Sequence, residues 1–282
     1  MKRGMVLEGG AMRGMFTTGA LDVMMENDIP YDVIVGVSAG AVFGCNYKSR
    51  QPGRAIRYNL RFCQDDRYCS TKNLVRTGDL FGAEFCYKDI PDRLDPFDRE
   101  TYLNNPMDFY VVCTDVRTGK PIYHNCVKGD EEELQWMRAS ASMPLAARQV
   151  KVGGHVLMDG GAADSVPIRF AETLGLDKIV VVLTQPLDFV KGKNKAMPVV
   201  RRVYRKNPNL VETMARRHEV YNETTAYLRE KELAGEVFVL RPPEALEIGR
   251  VEHDPDKLFS VYNLGRVVMK ERLDELKAYL EL

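Results

Sequence analysis

The chain has 282 residues, 45% of them hydrophobic and 28% charged, the composition of a folded globular protein long enough for one large domain. Lys+Arg and Asp+Glu each number 40, so the formal net charge is zero and no global field draws the chain to nucleic acid or an anionic membrane. No stretch reaches the roughly 18 uninterrupted apolar residues of a spanning helix, Glu8 and a glycine cluster interrupt the first apolar run before it resembles an export signal, and six cysteines without a Cys-x-x-Cys pair point to reduced thiols in the cytoplasm.

Residues 5–7 read as a first strand, ending in the loop Gly9-Gly10-Ala11-Met12-Arg13-Gly14. Met15, Phe16, Ala20, Leu21, Met24 and Met25 then recur at helical spacing. Residues 31–35 predict a second strand and Ala39 the start of another helix. This βαβ rhythm is that of a parallel sheet covered by helices. Residues 54–107 carry one helix face (Ile56, Leu60, Cys63) and are otherwise loop-rich and unassigned.

Further along, residues 108–113 read as an interior strand with residues 121–124 as its neighbour. Residues 131–141 read as a helix whose first-turn acids oppose the helix dipole. Residues 149–158 predict a hairpin turning at Gly153-Gly154. Residues 178–183 and 236–240 complete the strands, and residues 209–233 and 255–280 predict two long helices. The expected organisation is a core over residues 1–185 and a mostly helical extension over 186–282 packed on it, in one continuous domain. No internal repeat or low-complexity segment is present.

Three motifs carry chemistry. Gly36-Val37-Ser38-Ala39-Gly40 lies between a predicted strand and a predicted helix, the context of a nucleophile elbow. Bulky residues at positions 36 and 40 would clash in so sharp a turn. In a chain of this composition the pentapeptide arises by chance only about 0.04 times, so the signal is specific. The glycine loop at residues 9–14 can converge backbone N–H groups on an oxyanion or a phosphate. It is neither a Walker A sequence nor Gly-x-Gly-x-x-Gly, and alone it is a weak signal. The sequence leaves Arg13 open as either a brace or an anion contact. Asp159-Gly160-Gly161 follows an apolar strand, so the carboxylate emerges at a strand end. Beside Ser38 and partly desolvated, Asp159 could accept the hydroxyl proton directly.

Together, and in order and spacing, these motifs resemble the oxyanion loop, elbow and dyad aspartate of the patatin-like phospholipases. Thr114-Asp115-Val116-Arg117-Thr118-Gly119 and Arg138-Ala139-Ser140-Ala141-Ser142-Met143-Pro144 are similar to two further stretches of that family. The match covers about two-thirds of the chain, residues 5–185. Tyr221-Asn222 and Asp254-Pro255-Asp256-Lys257-Leu258 resemble, less specifically, a bacterial cytoplasmic branch of it.

The resemblance implies a three-layer α/β/α fold with a central, mainly parallel sheet. It implies a lipid acyl hydrolase of phospholipase A or carboxylesterase type with a Ser38-Asp159 dyad and no cofactor. Its oxyanion hole would be drawn from Gly9, Gly10, Ala11, Met12, Arg13 and Gly14, with Gly36 and Gly40 shaping the elbow and Gly160 and Gly161 the dyad loop. The alternatives are an acyltransferase or thioesterase on the same dyad, and a non-catalytic lipid- or anion-binding protein. Ala11 departs from the family's third glycine, so its amide is expected to join the hole only with a negative φ. Arg148 stands where an apolar residue is expected, and solvent is the simpler destination for it.

A Ser-His-Asp triad would need His218 or His253. His218 falls on a charged helix expected at the surface, and His253 in a helix-start loop. His124 and His155 carry no motif. No His/Cys/Asp cluster has metal-ligand spacing. Residues 191–206 are basic without an acid between them, more consistent with a solvated face than with an anionic lipid surface. Acyl chain length, headgroup and oligomeric state are not written in the sequence.

Overall fold

The computed structural model describes all residues 1–282. Eight strands form one sheet: β1 (Arg3–Leu7), β2 (Val33–Val37), β3 (Asp108–Asp115), β4 (Pro121–Asn125), β5 (Val150–Val152), β6 (His155–Asp159), β7 (Lys178–Val182) and β8 (Val237–Leu240). Their order is β5-β6-β3-β2-β1-β7-β8, with β4 also paired to β3. The five strands from β3 to β8 along that order run parallel, and β4, β5 and β6 add an antiparallel flank. The mainly parallel sheet is therefore as expected.

The helices are α1 (Gly14–Glu26), α2 (Ala39–Lys48), α3 (Arg54–Phe62), α4 (Thr71–Thr77), α5 (Arg99–Asn104), α6 (Glu131–Ser140), α7 (Ile168–Glu172), α8 (Met197–Val203), α9 (Pro208–Leu233), α10 (Pro255–Glu271) and α11 (Leu273–Leu280). Alternation along the strands sorts the core into two faces. Met5, Leu7, Ile34 and Phe109 pack under α1, α2, α6 and α10 on one side. Val6, Val35, Val37 and Val181 meet Ile168 of α7 and Tyr221 and Leu228 of α9 on the other. The result is a three-layer sandwich with both sheet faces covered. No helix is long and apolar enough to cross a membrane.

Besides the packing of α9, two further features join the C-terminal segment to this body. Its strand β8 extends the sheet through β7. Its helix α10 crosses α1 at a glycine pair, where a Cβ on Gly19 would lie 2.0 Å from the Tyr262 carbonyl oxygen and one on Gly265 would lie 2.0 Å from that of Phe16. Only hydrogen at both positions allows backbones to approach so closely. The Tyr262 hydroxyl adds a 2.8 Å hydrogen bond to the buried Asp22 carboxylate of α1.

Three expectations need correction. The second strand runs two residues later than 31–35, because Gly36 and Val37 still pair with Leu7 and Val112 on the flanking strands. The single helix over 255–280 is two helices. The backbone breaks at Arg272, and the change of direction carries Leu276 and Leu280 of α11 fully into the core. The unassigned region 54–107 contains α3, α4, α5 and a π-helical run, Phe85–Leu94, that accommodates Pro91.

Candidate active site

The site lies at the carboxyl ends of the parallel strands, where open α/β sheets bind ligands. β2 ends at Val37, α2 starts at Ala39, and Ser38 between them has φ +53° and ψ −119°. A non-glycine residue held there costs about 1–3 kcal/mol of strain. The neighbours make the turn sterically feasible: a Cβ on Gly36 would lie 2.7 Å from the Gly40 carbonyl oxygen, and one on Gly40 2.4 Å from that of Leu7. Ser140, the last residue of α6, braces the turn. Its hydroxyl accepts the Ser38 N–H at 2.8 Å and donates to the Val112 carbonyl at 2.6 Å.

Asp159 closes β6 after the hairpin whose turn residues, Gly153 and Gly154, both have positive φ. The Ser38 hydroxyl donates to its Oδ2 at 2.8 Å. The Gly161 N–H donates to Oδ1 at 2.8 Å, and the Thr114 hydroxyl donates to the Asp159 carbonyl at 2.8 Å. Thr114 thus ties β3 to the end of β6. Burial pushes the Asp159 carboxyl above its ordinary range, while the Arg217 charge and the bonds from Ser38 and Gly161 pull it back only in part.

The glycine loop runs alongside. The N–H groups of Gly9, Gly10 and Ala11 have no acceptor within the protein. Ala11 does not take the negative φ that its side chain was expected to require. It is held at +50°, a left-handed conformation that costs a non-glycine residue about 1–2 kcal/mol, and its amide is nevertheless free.

Two cavities meet at Ser38. One is apolar and runs beneath α2 and the 54–107 region, with Met12, Phe43, Tyr58, Tyr87, Ile90 and Met137 among its walls. The other, of about 600 Å³, is polar and contains Asp159, Glu8 and the cations Arg13, Lys191, Arg217 and Arg250. Of the loop residues, Gly9, Gly10, Ala11 and Arg13 line the polar cavity. Met12 turns into the apolar one, and Gly14 packs against Phe43 and Ala39. Gly161 faces the polar cavity, whereas Gly160 packs on the Val112 carbonyl.

Glu8 is buried at the foot of the polar cavity. Its Oε2 accepts the Thr184 N–H at 2.6 Å and hydroxyl at 3.0 Å, and its Oε1 accepts the Tyr221 hydroxyl at 2.8 Å.

The structure brings Ser38, Asp159 and the glycine loop together and leaves the histidines out. His253 Nδ1 contacts the Cys63 carbonyl at 2.6 Å, and His155 Nδ1 the Asp115 carboxylate at 3.2 Å. His124 stacks on Trp136. His218 is less solvated than its charged helix suggested: its side chain is 15% exposed and lines the polar cavity. It contacts the Ala215 carbonyl, not Ser38 or Asp159. Arg148 is exposed and lines neither cavity. Lys191, Arg217 and Arg250 carry no local signal for the site: Lys191 opens a basic run and Arg217 lies on a charged helix, both patterns of solvent-facing segments.

Comparison with known proteins decides the family. The sequence profile of the patatin-like phospholipases matches residues 5–172, more than half of the chain. The chain belongs to the patatin-like phospholipase family. Residues 207–281 match a second profile, a domain of unknown function, DUF6363. The uncharacterized protein YjjU of Escherichia coli is 26% identical over 93% of this chain and 74% of its own length. The lysophospholipase nte1 of Aspergillus oryzae is 28% identical over 66% of this chain, which spans only 12% of that protein. Among solved structures, VipD from Legionella pneumophila aligns with a TM-score of 0.50 and 12% identity over 97% of this chain and 67% of its own, a likeness of fold alone. Within this patatin-like chain, the residues around Ser38 and Asp159 fall inside the family match, and Arg217, Tyr221 and Arg250 fall inside the second one.

Proposed function

We propose that this patatin-like chain is a lipid acyl hydrolase in which Ser38 is the nucleophile and Asp159 its base. The observation that carries the reading is the 2.8 Å hydrogen bond from the Ser38 hydroxyl to a buried carboxylate, with no histidine between them. In the reaction, Ser38 Oγ attacks the acyl carbonyl as its proton passes to Asp159. The free N–H groups of Gly9, Gly10 and Ala11 supply donors for the resulting oxyanion. Collapse expels the alcohol, which takes the proton from Asp159. A water then attacks the acyl-enzyme, its proton passing to Asp159 and on to Ser38 as the fatty acid leaves. The apolar cavity suits the acyl chain, and the polar cavity supplies a route for water, which favours hydrolysis over acyl transfer.

The test is covalent labelling with a fluorophosphonate, paired with ester cleavage. Labelling at Ser38, its loss in Ser38→Ala, and inactivity of Asp159→Ala with retained activity in His253→Ala are expected. Full activity in Asp159→Ala would remove the dyad. A folded protein that binds lipid but never labels would favour a non-catalytic lipid-binding role.

The same reading takes residues 1–185 as the catalytic core and 186–282 as an extension in one continuous domain, supported by the β7–β8 pairing and the α1–α10 crossing. Six free thiols support a cytoplasmic location. Peripheral contact with an anionic membrane is supported near the mouth of the polar cavity. There Leu187, Val190, Val199 and Val203 are exposed beside Lys193, Lys195, Arg201 and Arg202. Co-sedimentation with anionic but not neutral vesicles, weakened in Arg201→Glu/Arg202→Glu, is the expected result.

A further inference from the structure

Arg13, Lys191, Arg217 and Arg250 all line the polar cavity beside Ser38, and none of the four forms an ion pair with a carboxylate. The Arg13 Nε is buried with no acceptor at all. Lys191 lies over the Tyr221 ring, its ammonium 4.0 Å from the centroid, and Asn222 fixes its main chain by accepting its N–H at 2.8 Å and donating to its carbonyl at 3.0 Å. Arg217 donates through Nε to the Gly161 carbonyl, which leaves its terminal nitrogens free of that bond. The two carboxylates present are already engaged: Glu8 by Thr184 and Tyr221, Asp159 by Ser38 and Gly161.

Burial and the neighbouring Arg217 charge hold the Lys191 ammonium down to about 8, against the pull of Glu8. Four cations facing two carboxylates that are already hydrogen-bonded leave the half-enclosed site with an excess of positive charge, and a multivalent anion relieves their mutual repulsion. The cavity shares Ser38 with the apolar one. An ester whose acyl chain fills the apolar side therefore places its alcohol portion among these cations.

Resting on the hydrolase reading above, we infer that this cavity binds the phosphomonoester headgroup of a glycerol-based acyl ester, and that residues 207–281, which match the profile of a domain of unknown function, supply its specificity-determining wall through Arg217 and Arg250. A phosphomonoester offers three oxygens to several donors at once, which suits guanidinium groups. A zwitterionic headgroup would bring its ammonium to a wall with no disengaged carboxylate.

The test is titration calorimetry on the full chain with two uncleavable ether lipids of one chain length, 1-O-alkylglycerol 3-phosphate and 1-O-alkylglycerol, and with inorganic phosphate alone. Binding of these ligands does not depend on catalysis, so a failed hydrolase reading and a failed headgroup reading give different results. The lipid phosphate is expected to bind at least roughly tenfold more tightly than the neutral lipid, and the ratio to collapse by about that factor in Arg250→Gln and in Lys191→Gln. Arg250 is exposed and has no partner to lose, so its variant avoids the folding ambiguity of Arg217→Gln. Equal affinity for the two lipids, or an unchanged ratio in both variants, would overturn the inference. Inorganic phosphate binding as tightly as the lipid phosphate would reassign the cavity to free phosphate and overturn the headgroup assignment.

Discussion

The main-chain N–H of Ser38 is held by the hydroxyl of Ser140, 102 residues away, at 2.8 Å. That hydroxyl is itself spent on the Val112 carbonyl, so one buried atom links the elbow, the end of α6 and the centre of β3. Ser140→Ala leaves a buried donor and acceptor unsatisfied, for an expected loss of about 1–3 kcal/mol. Because the brace sets the position of Ser38, fluorophosphonate labelling is expected to slow by roughly tenfold in protein that is still folded. Chemical denaturation and labelling kinetics check the two effects separately. An unchanged labelling rate would mean that the strained turn holds its shape without Ser140.

The proposed dyad predicts an acid limb set by Asp159. Its carboxyl lies above the ordinary range because of burial, and it must be ionised to take the Ser38 proton. The rate is therefore expected to fall as pH drops through a value above about 4. A pH profile of kcat/KM on a neutral ester reads the limb directly.

The stability effect of the same group has the opposite sign to that of a salt-bridged aspartate. A raised folded-state pKa favours the protonated form. Its stabilisation is present below the unfolded pKa and is lost as pH rises through the folded one. Asp159→Asn is accordingly expected to raise Tm at pH 7, with the gain shrinking on acidification. A lower Tm at pH 7 would show that the Arg217 attraction outweighs desolvation.

The inferred headgroup site predicts a separate alkaline limb set by Lys191 and confined to anionic substrates. With its ammonium held down to about 8, it loses charge as pH rises through that value, while a phosphomonoester is already fully ionised. KM for an acylglycerol phosphate is expected to rise above that pH, and KM for the uncharged acylglycerol to stay level. Lys191→Arg, which keeps its charge, is expected to abolish the rise.

The α1–α10 crossing is a test of close packing. Gly265→Ala places a methyl against the Phe16 carbonyl and forces the helices apart. A loss of about 1–3 kcal/mol or more is expected from urea unfolding. Gly192→Ala, where nothing lies within 4 Å, is expected to change stability by less than about 0.5 kcal/mol.

The parts of the fold legible in the sequence are those written in short-range pattern. The strands at 5–7 and 178–183, the hairpin at Gly153-Gly154 and the turn at Ser38 each combine a local period with a local turn residue, and each appears where expected within a few residues. The candidate-site residues within residues 9–40 and 159–161, which the structure brings together, are legible for the same reason. Residues 54–107 are not. Beyond the face of α3, their apolar side chains, such as Phe81, Tyr87 and Ile90, line a cavity instead of alternating along a sheet or striping a regular helix. Arg217 shows the other limit. Its neighbours in sequence are charged and read as solvent-facing, yet α9 carries it to the Gly161 carbonyl, 56 positions earlier in the chain, a contact no local period encodes. The sign of φ at Ala11 was hidden too, because tertiary packing overrides the preference of an alanine.

The glycine crossing between α1 and α10 also imposes an order on biosynthesis. The loop at residues 9–14 leads directly into α1, and both are made well before α10. Helix α1 gains its partner only after Gly265 has been polymerised, and the cavity gains Arg250 only shortly before. A nascent chain thus holds its elbow before it holds the helix that packs on α1 or the Arg250 wall of the polar cavity, so that cavity is completed late in the synthesis of these residues.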